Sequence, residues 1–176
     1  MFETIDYLQY GNEKQRLAYN AIRGLRIIEY LKEYTPILCG TLPIGIDLEG
    51  SDLDIIMRVV DFDQFEDKVK SLYRQEENFK LKRRVIREIP VIKANFIYGG
   101  FEFELFGQPK PVHEQFAYLH MIIENHILKE NPHIREEILN YKNRGYKTEA
   151  AFCKVLKLKG DPYIELLQYG RNLGII

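Results

Sequence analysis

The apolar residues of the chain recur with two different periods. From Asn12 to about Glu33, Ala18, Ala21, Ile22, Leu25, Ile28 and Leu31 return at intervals of three and four, the spacing of one helix face. Asn12 reads as the N-cap of this helix, and Gln15 three residues later completes a capping box. Pro36 breaks the pattern, and Ile37-Leu38-Cys39 reads as a buried strand that stops at Gly40-Thr41. A second apolar strand opens as Asp52-Leu53-Asp54-Ile55-Ile56-Met57. Helical spacing resumes over 62–75, with Phe65, Val69 and Leu72 inward and Asp61 or Asp63 at the start, where the helix dipole favours an acid. Runs rich in Phe, Ile and Val follow at 79–87 and 91–98, then Gly99-Gly100 and a strictly alternating 101–106, which together predict a β-hairpin.

Beyond Gly107 the spacing is helical throughout. A helix over 114–129 buries Phe116, Leu119, Ile123 and Ile127, and Pro132 opens another that runs through Ile138 and Tyr141. Thr148 is the expected N-cap of 149–156. Asp161-Pro162 predicts a last helix, with Asp as N-cap and Pro at the first helical position. The order of elements predicts an α/β (α+β) class: a mixed β-sheet with flanking helices, then a C-terminal helical subdomain. The 176 residues suit a single domain spanning 1–176.

Composition narrows the picture only modestly. With 45% hydrophobic and 29% charged residues the chain is ordinary globular material, and a net charge of -1 gives no overall field toward nucleic acid or membrane. Attraction of that kind has to be local. The dense basic run, Lys80, Lys82, Arg83, Arg84 and Arg87, can bind substrate phosphates or an RNA backbone, but it reads first as an edge strand guarded against aggregation. Cys39 and Cys153 lie far apart without metal-ligand spacing and predict reduced core thiols and a cytoplasmic location. The acidic start, 1–6, predicts no signal peptide, and no apolar run approaches the length of a membrane span. His113, His120 and His126 are spaced by seven and six, which places no pair on adjacent helical turns as a zinc pair requires. A satisfied structural role is expected for His120. Asp47 and Glu49 read as solvated loop acids.

The chemistry concentrates in the two acidic strands. Side chains alternate along a strand, so Asp52 and Asp54 share one sheet face with Cα atoms roughly 6.5 to 7 Å apart. Like charges so close are costly to bury unless a cation compensates them. Oxygen-only ligands favour Mg²⁺ or Mn²⁺. Gly40 lets the backbone approach a phosphate, and the Thr41 hydroxyl can donate to one. In 101–106, Phe101, Phe103 and Leu105 share one face while Glu102 and Glu104 share the other.

The stretch Leu38-Cys39-Gly40-Thr41, ten residues, then Ser51-Asp52-Leu53-Asp54-Ile55 resembles the signature of the nucleotidyltransferase superfamily related to DNA polymerase beta, with Thr41 in place of the usual Gly or Ser. The resemblance covers about 12–106, a nucleotidyltransferase-like core, and leaves a helical part at about 107–176. The whole chain also resembles an uncharacterised bacterial family within that superfamily, through Gly107-Gln108, Lys147-Thr148-Glu149 and Gly160-Asp161-Pro162-Tyr163. The resemblance implies transfer of a nucleoside monophosphate from an NTP to a hydroxyl or phosphate acceptor, which is a small molecule, a protein or an RNA. It implies Asp52, Asp54 and Glu104 as metal-binding and catalytic residues, with Glu102 the alternative third acid, and Gly40, Thr41 and Ser51 as nucleotide-binding residues. The alternative is a non-catalytic nucleotide- or metal-binding protein of the same fold.

Overall fold

The computed structural model describes residues 2–176. Helix α1 (Glu13–Gly24) is capped by Asn12, whose side chain accepts from the Gln15 amide while the Gln15 side chain accepts from the Asn12 amide. The predicted single helix over 12–33 is broken. It ends at Gly24, and α2 (Ile27–Tyr30) and a 3-10 turn (Lys32–Tyr34) follow. The break lies at Arg26, which takes a left-handed φ of 52° and is held there by hydrogen bonds to Glu29 and to the Tyr30 hydroxyl, the latter 2.6 Å long. Ile27 and Leu31 are fully buried across the break, while Ile28, expected on the inner face, is only half-buried, so the buried register slips by one residue at the kink.

The described residues form one sheet of five strands: β1 (Ile37–Cys39), β2 (Leu53–Arg58), β3 (Glu77–Ile86), β4 (Ile89–Tyr98) and β5 (Phe101–Gln108), in the order β1-β2-β5-β4-β3. Only the β2–β5 pair is parallel; the other neighbours are antiparallel. The mixed sheet with flanking helices is thus the predicted class. The Gly99-Gly100 hairpin forms, with both glycines at positive φ. A second hairpin joins β3 to β4 through Arg87 and Glu88, which adopt φ of 50° and 66° without a glycine.

One sheet face is core. Helix α3 (Phe62–Tyr73), capped by Asp61, buries Phe65, Val69 and Tyr73, and Leu72 is only half-buried. Tyr73 stacks on Phe96 of β4 and Phe96 on Phe103 of β5, each pair with centroids 5.3 Å apart. Gly107 follows on the same face, where an added Cβ would stand 2.6 Å from Val59 Cγ2. The residues fall into two compact units, 2–39 with 50–112, and 40–49 with 113–176.

The second unit holds α4 (Phe116–Glu130), α5 (Arg135–Asn143), α6 (Thr148–Leu156) and α7 (Pro162–Asn172). Phe116 and Leu119 are half-buried, while Met121, Ile123, Ile127 and Leu128 carry the apolar face of α4. Helix α6 begins one residue earlier than expected, with Lys147 as N-cap and Thr148 as its first residue. Asp161 caps α7 as predicted, accepting from the Tyr163 amide at 3.0 Å. The loop 40–49 is tied to α5 by its carbonyls: Arg135 donates to Ile44 and Gly45, and the buried Lys142 ammonium donates to Ile46 at 2.5 Å.

Candidate metal centre

The face of the sheet opposite α3 carries the acids. Asp52 immediately precedes β2, Asp54 is its second residue, and the parallel register sets Asp54 directly opposite Glu104 of β5. One carboxylate oxygen from each of Asp52, Asp54 and Glu104 lies within 4.8 Å of the other two. Two oxygens bound to one hard cation at about 2.0 to 2.6 Å cannot be more than about 5 Å apart. The donor set therefore fits Mg²⁺ or Mn²⁺ in both chemistry and spacing.

The register extends this row. Cys39 lies opposite Asp54, Asn95 opposite Glu104, and Lys80 opposite Asn95, so five strands contribute one residue each to a line across the sheet. The Cys39 thiol is raised well above its ordinary pKa by burial, with the Asp54 charge adding to the effect, so it stays protonated. The Lys93 ammonium, one pleat along β4 from Asn95, lies 2.6 Å from Glu104 Oε2, and the Asn95 amide donates weakly to the same oxygen at 3.5 Å.

Sequence reading did not find Lys93 or Asn95. The only signal is that they are polar residues at i and i+2 in an otherwise apolar strand, and their approach to Glu104 depends on β4 lying beside β5. Glu102, the alternative third acid, faces the same side but is exposed and lies opposite Ile97, one pleat from Asn95. Ser51 is half-buried just ahead of Asp52. Gly40, with φ of 80°, and Thr41 follow Cys39 in the chain and fall in the second unit, where the Thr41 carbonyl accepts from Ile46.

His120 has the structural role expected of it. It is buried in α4, its Nε2–H donates to the Tyr163 carbonyl at 2.9 Å, and Nδ1 lies 3.6 Å from Glu149. Glu124, one turn along, is wholly buried, and that burial pushes its carboxyl well above the usual range. Glu149 adds to the shift and Lys142 opposes it.

A family model described as "Domain of unknown function (DUF4269)" matches residues 20–169. The chain belongs to that family. No curated protein matches this DUF4269 chain. Among solved structures it is similar to the Cid1 poly(U) polymerase, with a TM-score of 0.53 and 18% identity over 74% of this chain and 42% of that one. It is similar to a chain of the GLD-2/RNP-8 complex, with a TM-score of 0.55 and 16% identity over 89% and 63%. It is also similar to the polymerase core of TRAMP, an RNA surveillance complex, with a TM-score of 0.55 and 13% identity over 92% and 51%. At these identities the likeness is one of fold, and the fold is that of the nucleotidyltransferases. The DUF4269 chain spans less than half the length of the Cid1 chain it matches. No helix among the described residues is long and apolar enough to cross a membrane.

Proposed function

We propose that this protein is a metal-dependent nucleotidyltransferase that moves a nucleoside monophosphate from an NTP to a hydroxyl or phosphate acceptor, with pyrophosphate leaving. The observation that carries the reading is the convergence of Asp52, Asp54 and Glu104 within 4.8 Å on one sheet face. Asp52 and Asp54 are the residues that would hold Mg²⁺ or Mn²⁺ with the NTP, and Glu104 is the third ligand and the base for the acceptor proton. When bound, the divalent cation neutralises charge on the attacking and leaving oxygens. Gly40 and Thr41 cradle the triphosphate, and Ser51 supports it beside Asp52. The chain's own contribution is positioning: adjacent strands fix the carboxylates, so no reorganisation is needed at the moment of transfer. Two free, buried thiols agree with a reducing, cytoplasmic location.

A second reading is favoured by one contact. Lys93 already neutralises Glu104, which suits a protein that binds one metal and a nucleotide without transferring anything. Incubation with each α-labelled NTP, Mg²⁺ or Mn²⁺ and a cell extract separates the two. Transfer expects label in an acceptor, and Asp54→Asn abolishes it. No labelled acceptor with any NTP, while Mg²⁺ and NTP still raise the melting midpoint, would leave the binding protein.

A further inference from the structure

The sheet face that carries the three acids continues into a line of positive charge. Lys80 and Lys82 of β3 lie opposite Asn95 and Lys93 of β4, and Arg84 lies opposite Val91, so the three side chains alternate onto the face of Asp54 and Glu104. The sequence could not reveal this, because β3 and β2 are separated by two strands in the sheet. Arg83, the intervening residue, faces the other way, and its charge is matched by Asp63 and Glu66 of α3. Lys80, Lys82 and Arg84 are exposed, and none makes an ion pair with the described residues.

We infer that this line is the acceptor track, and that the acceptor is a single-stranded nucleic acid whose terminal hydroxyl reaches Glu104. The inference rests on the reading of Asp52, Asp54 and Glu104 as a transfer site. Three details of the face fix the occupant. From Lys80 to Arg84 the strand advances about 13 Å, and neighbouring strands stand about 4.8 Å apart. A track of that length outreaches a single phosphate and matches a chain with several in succession. Its polarity is also one-sided: in the other direction along the same face lie Glu102 and Glu77, which repel a phosphate chain. Finally, the track leads to the acids through Lys93, whose ammonium bridges from the cations to Glu104 at 2.6 Å. The side chains on the track are cationic and carry no aromatic ring for base stacking, so binding is read from phosphates and tolerates sequence.

The test is fluorescence anisotropy of labelled ten-residue single strands, RNA and DNA in separate arms, with the full chain and Lys80→Ala/Lys82→Ala/Arg84→Ala. The triple variant is expected to bind at least tenfold more weakly, with the slope of log affinity against log salt reduced by about 2, as loss of about three phosphate contacts requires. Arg83→Ala, on the other face, is expected to leave strand affinity unchanged. Mg²⁺-ATP binding, followed by thermal shift, is expected to be the same in the triple variant and the wild type. Equal strand affinity in triple variant and wild type, or no binding of either strand by a wild type that binds Mg²⁺-ATP, overturns the track and leaves the transfer reading standing. Track-dependent strand binding without any Mg²⁺-ATP binding removes the transfer reading and overturns the acceptor role with it, leaving a strand-binding face alone. Equal weakening by Arg83→Ala also overturns the track, since the effect is then one of net charge alone.

Discussion

Lys93 Nζ stands 2.6 Å from Glu104 Oε2, with the two side chains 28% and 18% exposed, so a fixed ammonium compensates the carboxylate cluster. Its removal should expose the repulsion among Asp52, Asp54 and Glu104. Lys93→Met is expected to melt earlier than wild type without metal, by about 1 kcal/mol for a half-buried pair, and to recover most of the loss in Mg²⁺. The Mg²⁺-induced rise in midpoint is therefore larger in the variant. Identical rises in both proteins would show that Lys93 and the metal do not answer the same charge.

Asp54→Asn keeps the shape of the side chain in β2 and removes one charge from the cluster. The variant should fold, with metal-free stability equal to or above wild type. Saturating ligand stabilises a native state by about 2.7 kcal/mol at a hundredfold excess over Kd. Melting curves with and without Mg²⁺ plus NTP should show that gain in wild type and little of it in Asp54→Asn. The same gain in both would remove Asp54 from the metal site.

Gly107 is a packing requirement. A methyl group there would meet Val59 Cγ2 at 2.6 Å and Ile92 Cγ2 at 3.0 Å, both on the core face of the sheet. Gly107→Ala is expected to cost about 1 to 3 kcal/mol by overpacking, read as a lower denaturant midpoint with unchanged slope. A midpoint equal to wild type would mean that the core yields at this point.

Glu124 makes stability depend on pH. Its folded-state pKa lies above the ordinary value of 4.5, chiefly through burial, so the native state holds a proton that the unfolded chain releases. That contribution is complete below the unfolded pKa and is lost as pH rises toward the folded one. Wild type should therefore lose stability relative to Glu124→Gln, which cannot ionise, as pH rises above the ordinary carboxylate range toward the raised folded-state pKa. Parallel stability curves for the two proteins would show that Glu124 does not titrate differently on folding.

Much of this was readable from residues alone, and the remainder was hidden for identifiable reasons. Alternation was enough to put Asp54 and Glu104 on polar faces, because Leu53, Ile55, Phe103 and Leu105 are buried on the other side. The caps at Asn12 and Asp161 followed from local chemistry, which also put an acid, Asp61 or Asp63, at the start of α3 without saying which one caps it. Lys93 and Lys80 joined the acid face only through lateral strand order, which no local pattern encodes. The break at Arg26 was invisible because Ile27 and Ile28 are both apolar: an unbroken helix selects Ile28 for the inner face, whereas the kink buries Ile27. Glu124 drew no attention in the sequence, because only the packing around α4 shows that it is buried.

The parallel pairing of β2 with β5 also bears on how the chain acquires its site. Asp54 and Glu104 are distant in sequence, and α3 and the entire β3–β4 hairpin intervene. Helix α3 and the hairpins close short loops and can form early, whereas the β2–β5 ladder must close a long one, the kind of contact that slows folding. Asp52 and Asp54 are neighbours along the chain, so it is Glu104 that joins them only when this non-local ladder closes. On the proposed reading of these acids as a metal site, affinity for a divalent cation is expected to report closure of that ladder.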